Sequence, residues 1–190
     1  MKAMILAAGY GKRLLPLTKD TPKPLLKVGN KTLIERNINN LLESGFSEIV
    51  INVSHLSKLI EGHVKEKFPK NNILFSFEER PLGTGGGVLK ALNILGAEPF
   101  LLINSDIYHC ISFTNFPKTT EAAHLIGVPN PDHNRNGDFS IKNENMVEVQ
   151  DGLNELTWSG ISLINPIIFN ENVFDCLLYT SDAADEKRCV

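Results

Sequence analysis

Short apolar runs alternate with helically spaced segments from residue 3 to residue 104, and this alternation restricts the fold more than any other feature of the chain. Residues 3–7, 48–53, 73–77 and 100–104 read as strands. Residues 32–44, 56–67 and 86–95 read as the helices between them. In the first helix Leu33, Ile34, Ile38, Leu41 and Leu42 share one face, and Gly45 is a natural stop. A β-α-β-α-β-α-β order argues for a parallel sheet with helices on both faces. The expected fold class is therefore α/β, a Rossmann-like three-layer sandwich around a mostly parallel mixed sheet.

The second half is richer in strands. Residues 124–129 and 158–164 read as strands, and 138–142 with 146–150 as a hairpin around Asn143-Glu144-Asn145. Residues 166–174 read as the start of a helix. No internal repeat or linker is visible, so one domain is expected, and 190 residues suffice for a sizeable core.

Composition narrows the partners. The net charge of −3 gives no general attraction to nucleic acid or to an anionic membrane, so any anion site must be local. An aromatic–basic stripe is also missing, which argues against nucleic acid. No apolar run approaches spanning length, and residues 1–8 are too short for a signal segment. Cys110, Cys176 and Cys189 form no C-x-x-C pair, so neither a zinc site nor a disulfide framework is suggested. A cytoplasmic monomer or weak homodimer is the expectation.

Ligands of open α/β sheets sit beyond the carboxyl ends of the strands. The first strand ends at Ala7, which puts residues 8–13 there. Ala8, Gly9 and Gly11 leave room for a ligand, and successive N–H groups in such a turn can point at one anion. Arg13 adds a forked donor suited to phosphate oxygens, and Lys12 adds charge. The stretch is neither G-x-x-x-x-G-K-[ST] nor G-x-G-x-x-G, because Leu14 takes the last glycine's place. An ordinary strand–loop connection has the same spacing.

Thr21-Pro22-Lys23-Pro24 follows. Each proline biases its preceding residue toward extended geometry, so Lys23 is expected on a stiff, extended segment. Preorganised charge of this kind suits a phosphoryl site, although a surface lysine in a proline-rich loop is the plainer reading. Asn104-Ser105-Asp106 ends the fourth strand. An aspartate at that rim can hold Mg²⁺ together with phosphate oxygens, or can cap a turn. Sharing a sheet end with Arg13 and Lys23 favours the metal. Gly83-Thr84-Gly85-Gly86-Gly87 reads as a turn that lets backbone touch a flat base or ribose and sets a helix N-terminus nearby. Trp158 reads as core or pocket wall, and the five histidines show no ligand spacing. Glu78 and Glu79 could face a nucleotide, but a strand-end charge pair is the plainer reading.

Together these stretches resemble the sugar-nucleotide pyrophosphorylase (nucleotidyltransferase) family. The signature L-A-A-G-x-G-x-R followed by P-K-P is matched by residues 6–13 and 22–24. "EIVIN", "TGGG", "PFLLIN-S-D", "GDF" and "LTWSGIS" extend the likeness to about residue 170. The resemblance implies a nucleotidyltransferase domain over 1–175, with the nucleotide-diphospho-sugar transferase fold. It implies transfer of UMP from UTP to an amino-sugar 1-phosphate, N-acetylmuramic acid 1-phosphate first, giving a UDP-sugar and pyrophosphate in peptidoglycan recycling. Ala8, Gly9, Gly11, Lys12 and Arg13 would then hold the nucleotide, with Arg13 on the leaving pyrophosphate. Lys23 would bridge phosphates at the reacting centre, and Arg13 and Lys23 would be the catalytic pair. Gly85 would line the base pocket, Asn104 and Asp138 would contact the sugar, and Asp106 would ligate Mg²⁺. Another hexose 1-phosphate nucleotidyltransferase using UTP, dTTP or GTP stays open, as does a domain that binds without turnover.

The chain departs from the family at its end. The family carries a second metal aspartate in a W-x-D-V-G-T-like motif, which is missing here. "CLLYTSDAADEKRCV", residues 176–190, loses periodicity and contains a stretch that resembles translated sequencing-adapter sequence. The expectation is a C-terminally truncated domain with a tail foreign to the gene, a half-built metal site and an open sheet edge.

Overall fold

A computed structural model describes residues 1–143, 146–150 and 152–169. Its elements are β1 (Ala3–Leu6), β2 (Lys27–Val28), β3 (Lys31–Thr32), α1 (Leu33–Glu43), β4 (Glu48–Val53), α2 (Ser57–Lys67), β5 (Asn72–Phe77), α3 (Gly83–Leu95), β6 (Phe100–Asn104), β7 (Ala123–Pro129), β8 (Ser140–Asn143), β9 (Met146–Glu148) and β10 (Leu156–Ile164). Six strands form one sheet in the order β5-β4-β1-β6-β10-β7. β1 pairs in parallel with β4 and β6, and β4 with β5. β10 runs antiparallel to both β6 and β7. The expected mostly parallel mixed sheet is what the chain forms.

Both faces of the sheet are covered, which is why its central strands read as unbroken apolar runs. Ile5, Ile49, Ile51 and Ile103 pack with Ile34, Ile38 and Leu41 of α1 and with Ile60 and Val64 of α2. Met4, Val50 and Leu102 pack on the other face with Val88, Ala91 and Leu95 of α3. Alternate residues of one strand thus serve different layers, as the period of two requires. Leu6 stands level with Asn52 and Asn104, so β1, β4 and β6 end together.

α1 starts on a capping box. The Thr32 hydroxyl accepts from Glu35 N–H at 3.2 Å, and the Glu35 carboxylate accepts from Thr32 N–H at 2.6 Å. Burial pushes the Glu35 carboxyl up, but the hydrogen bonds from Thr32 and the nearby His63 and Lys67 charges outweigh it and hold its pKa below the ordinary glutamate value. A folded-state pKa depressed in this way adds stability above the unfolded pKa and loses it as pH falls through the folded one. Glu35→Gln is therefore expected to flatten the acid limb of stability against pH, read by urea unfolding across that range. An unchanged limb would contradict the assignment.

Three segments of the backbone differ from what their local sequence predicts. The glycine run is not a turn ahead of a helix: α3 already begins at Gly83, with φ +74° there, and the following glycines are helical. Close packing explains them, since a Cβ on Gly86 would meet Leu82 Cβ at 2.8 Å and one on Gly87 would meet Asn52 Nδ2 at 2.6 Å. Lys23 is not extended but opens a 3₁₀ turn, Lys23–Leu25. Leu25 N–H donates to Pro22 O and Leu26 N–H to Lys23 O, and burial of Pro24 in the turn overrides the pre-proline bias. Asp138 and Phe139 leave the hairpin, because both N–H groups donate to Leu156 O beside β10. The hairpin tip at Glu144 and Asn145, the continuation past Phe169 and the tail 176–190 lie outside the described residues.

Candidate active site

The carboxyl ends of β1, β4 and β6 build the site. Ala7 N–H donates to Asn52 Oδ1 at 2.8 Å, which fixes the point where the chain leaves β1. Ala8 is buried, and a Cβ on Gly9 would meet nothing within 4 Å. Gly11 takes φ +66°, a conformation that favours glycine, and starts the 3₁₀ turn Lys12–Leu14. Its carbonyl accepts from the buried Thr18 hydroxyl at 2.8 Å. A Cβ on Gly11 would lie 3.3 Å from Lys23 Cβ, so the glycine turn and the Lys23 turn lean on each other. Lys12 and Arg13 are exposed on this turn, and Lys12 Nζ stands 5.3 Å from the Tyr10 ring centroid.

Lys23 reaches across to Asp106, and the two side chains form a direct ion pair just past the end of β6. Each is about a third exposed, so the pair faces solvent at the sheet end without being surrounded by it. Ser105 N–H donates to Leu6 O at 3.0 Å and keeps this segment in step with β1. The glycine turn, Lys23 and Asp106 thus come together at one sheet end, with Lys12 and Arg13 on the turn that follows Gly11.

Gly85 sits in the first turn of α3, and a buried polar chain ties that turn to β1. Asn52 Nδ2 donates to Glu78 Oε1 at 2.7 Å, and Leu82 N–H donates to Glu78 Oε2 at 2.9 Å. Glu78 is 5% exposed, so the strand-end charge pair expected of it is wrong: it is a buried anchor for the start of α3. The sequence signal existed, since Asn52 interrupts an apolar strand and Glu78 follows another.

Asn104 and Asp138 lie toward β10. Gly160 takes φ +84°, and a Cβ there would meet Asn104 Nδ2 at 2.8 Å. Only glycine lets β10 pass so close, next to the register shift between Trp158 and Ser162. Asp138 Oδ2 accepts from Trp158 N–H at 2.8 Å, and Oδ1 accepts from Asn134 Nδ2 at 2.9 Å. Both carboxylate oxygens are therefore engaged within the protein. Trp158 Nε1 donates to Ser162 Oγ at 2.8 Å and to Ile161 O at 3.1 Å, which ties the half-buried indole back onto β10. A cavity of about 300 Å³ opens between Ile107 and Ile111 on one side and Ile126 and Ile161 on the other. It is mainly apolar and holds none of the charged groups named above.

Among the described residues no group of three or more His, Cys, Asp or Glu could hold a metal ion, and no helix is long and apolar enough to cross a membrane.

The chain is 43% identical over 179 residues to an N-acetylmuramate alpha-1-phosphate uridylyltransferase from Neisseria meningitidis serogroup B, covering 90% of this chain and 78% of that protein. It is 39% identical over 111 residues to mannose-1-phosphate guanyltransferase beta-B of Xenopus laevis, covering 56% of this chain and 31% of that one. The fold matches the crystal structure of HddC from Yersinia pseudotuberculosis complexed with GMP-PN, with a TM-score of 0.77 and 26% identity, covering 95% of this chain and 86% of that one. The nucleotidyl transferase family profile matches residues 2–149, and the chain belongs to that family.

Proposed function

We propose that this chain transfers UMP from UTP to an amino-sugar 1-phosphate, N-acetylmuramic acid 1-phosphate first among the candidates. The observation that carries the reading is the meeting of the Gly9–Gly11 turn with the Lys23–Asp106 pair at one sheet end. The 43% identity to the uridylyltransferase supports the base and the sugar. A sugar-phosphate oxygen attacks the α-phosphorus of UTP, a new P–O bond forms, and the bond to pyrophosphate breaks. The attacking oxygen is already ionised at neutral pH, so the protein supplies no base and no nucleophile.

Positioning and charge carry the reaction. The N–H groups of the glycine turn face the triphosphate, and Arg13 offers paired donors to the departing pyrophosphate. Lys23 swings from Asp106 to the phosphates and offsets the repulsion between two anionic reactants. Gly85 lies against the base, Asn104 faces the sugar, and Asp138, held by Trp158 N–H and Asn134, meets the sugar with its remaining lone pairs. Asp106 fits Mg²⁺ in the manner of a single carboxylate that shares a hydrated ion with substrate phosphates, not as part of an all-protein cage. Bound there, Mg²⁺ would supply charge neutralisation at the phosphates. This chemistry belongs to the cytoplasm and to the reuse of cell-wall sugars.

A panel of sugar 1-phosphates against UTP, dTTP and GTP tests the reading by pyrophosphate release. UTP with N-acetylmuramic acid 1-phosphate is expected to be the best pair. A better turnover with GTP and a neutral hexose 1-phosphate would replace the substrate assignment. UTP binding without any release would point to a domain that binds only.

A further inference from the structure

α1 carries a polar pattern beneath its apolar one. Asn37, Asn40 and Ser44 recur at i, i+3 and i+7, which aligns them along one side of the helix and its C-cap. Their side chains reach one distant segment. Asn37 Nδ2 donates to Ser105 O at 3.2 Å and to Ile107 O at 3.4 Å. Asn40 Nδ2 donates to Ile111 O at 2.8 Å, and Ser44 Oγ accepts from Phe113 N–H at 3.1 Å. All four partners are backbone groups of the chain that leaves β6, and the first two flank Asp106.

The stripe comes at a stability penalty. Asn37 is 2% exposed on a helix that otherwise buries aliphatic side chains. The Oδ1 of Asn40 is buried with no hydrogen-bond partner among the described residues. A leucine would carry no such penalty. What the amides gain is control of a segment that the sheet holds only as far as Ser105. Beyond that residue the Asp106 side chain is held by Lys23, the very group that must leave it for substrate phosphate. The carbonyls of Ser105 and Ile107, the residues on either side of Asp106, are then held by Asn37.

We infer that Asn37 is a positioning residue: it fixes the backbone around Asp106 so that the carboxylate keeps its aim when Lys23 moves away. The inference rests on the reading of Asp106 as the Mg²⁺ ligand. Supporting groups one step behind a metal ligand commonly change metal affinity about tenfold or more when removed.

The test is calorimetric titration of UTP into the full chain, first with EDTA and then with saturating Mn²⁺, which takes a similar oxygen ligand set. The readout is the gain in UTP affinity that the metal brings, not turnover. Asp106→Asn is expected to abolish that gain. Asn37→Ala is expected to cut it about tenfold while leaving metal-free UTP binding unchanged. Ser44→Ala removes a comparable bond at the far end of the segment and is expected to keep the whole gain, which separates positioning from general loosening. Should Asn37→Ala unfold at the working temperature, Asn37→Leu, which fills the buried space without the two hydrogen bonds, takes its place with the same expected direction. A wild-type gain in Asn37→Ala beside a lost gain in Asp106→Asn overturns the positioning role and leaves the metal reading standing. A wild-type gain in Asp106→Asn overturns both.

Discussion

Lys23→Ala slows pyrophosphate release by about a hundredfold to a thousandfold, the range seen when one preorganised donor is taken from a site where charge develops. The melting temperature barely moves in the same variant. Those two expectations come from one geometry. The Lys23–Asp106 pair is about a third exposed on each side, and a pair so open to water contributes about 1 kcal/mol or less. Its value to the fold is therefore small. On the proposed function its value to the reaction is expected to be large, because the ammonium stands on a short turn braced by Pro22 O, buried Pro24 and the Gly11 turn. Lys23→Arg does not restore the rate, since a planar fork cannot replace a compact ammonium at the end of that turn. Steady-state kinetics and a thermal melt check both halves. A rate loss under about tenfold, or a collapsed melt, would show that Lys23 serves the fold instead.

Gly87→Ala shows the opposite pattern, with a loss of about 1–3 kcal/mol in stability. Helix propensity alone predicts a gain of about 1 kcal/mol for this change. Packing wins because the new Cβ would lie 2.6 Å from Asn52 Nδ2 and 2.8 Å from Glu78 Oε1. Neither atom can retreat freely. Both side chains are buried, they bond to each other, and they hold the N–H groups of Ala7 and Leu82. Moving either one breaks a buried hydrogen bond, at about 1–3 kcal/mol each. Gly9→Ala is the informative contrast. Its Cβ enters open space, so the melt is expected to stay at the wild-type value. On the proposed reading the nucleotide approaches through that space, so UTP binding is expected to weaken. Equal melting temperatures for Gly87→Ala and the wild type would remove the buried network from the account.

The parallel half of the sheet was legible because each of its strands is buried on both faces and each crossover carries a helical period. The place of β10 was not. Its strand character shows in residues 158–164, but its insertion beside β6 depends on pairing between positions far apart in sequence, such as Ile161 with Ile103. Lys23 and the glycine run failed for a different reason. Proline bias and glycine flexibility are local tendencies of modest size, and here turn hydrogen bonds and close packing decide. Apolar spacing gives no sign that a polar side chain points inward, which is why the burial of Asn37 is not legible in the sequence and Glu78 reads there as a strand-end charge. The meeting of the glycine turn, Lys23 and Asp106 at one sheet end was legible because strand ends, once located, dictate where charged loops meet.

Mg²⁺-dependent pyrophosphate release from UTP and N-acetylmuramic acid 1-phosphate, by the chain as it stands and by Asp106→Asn, tests the central claim most directly. Release by the chain is expected to stop when Mg²⁺ is chelated and to be lost in the variant. Release that persists at the same rate in Asp106→Asn, or that ignores chelation, would contradict the assignment of this sheet end as the reacting centre.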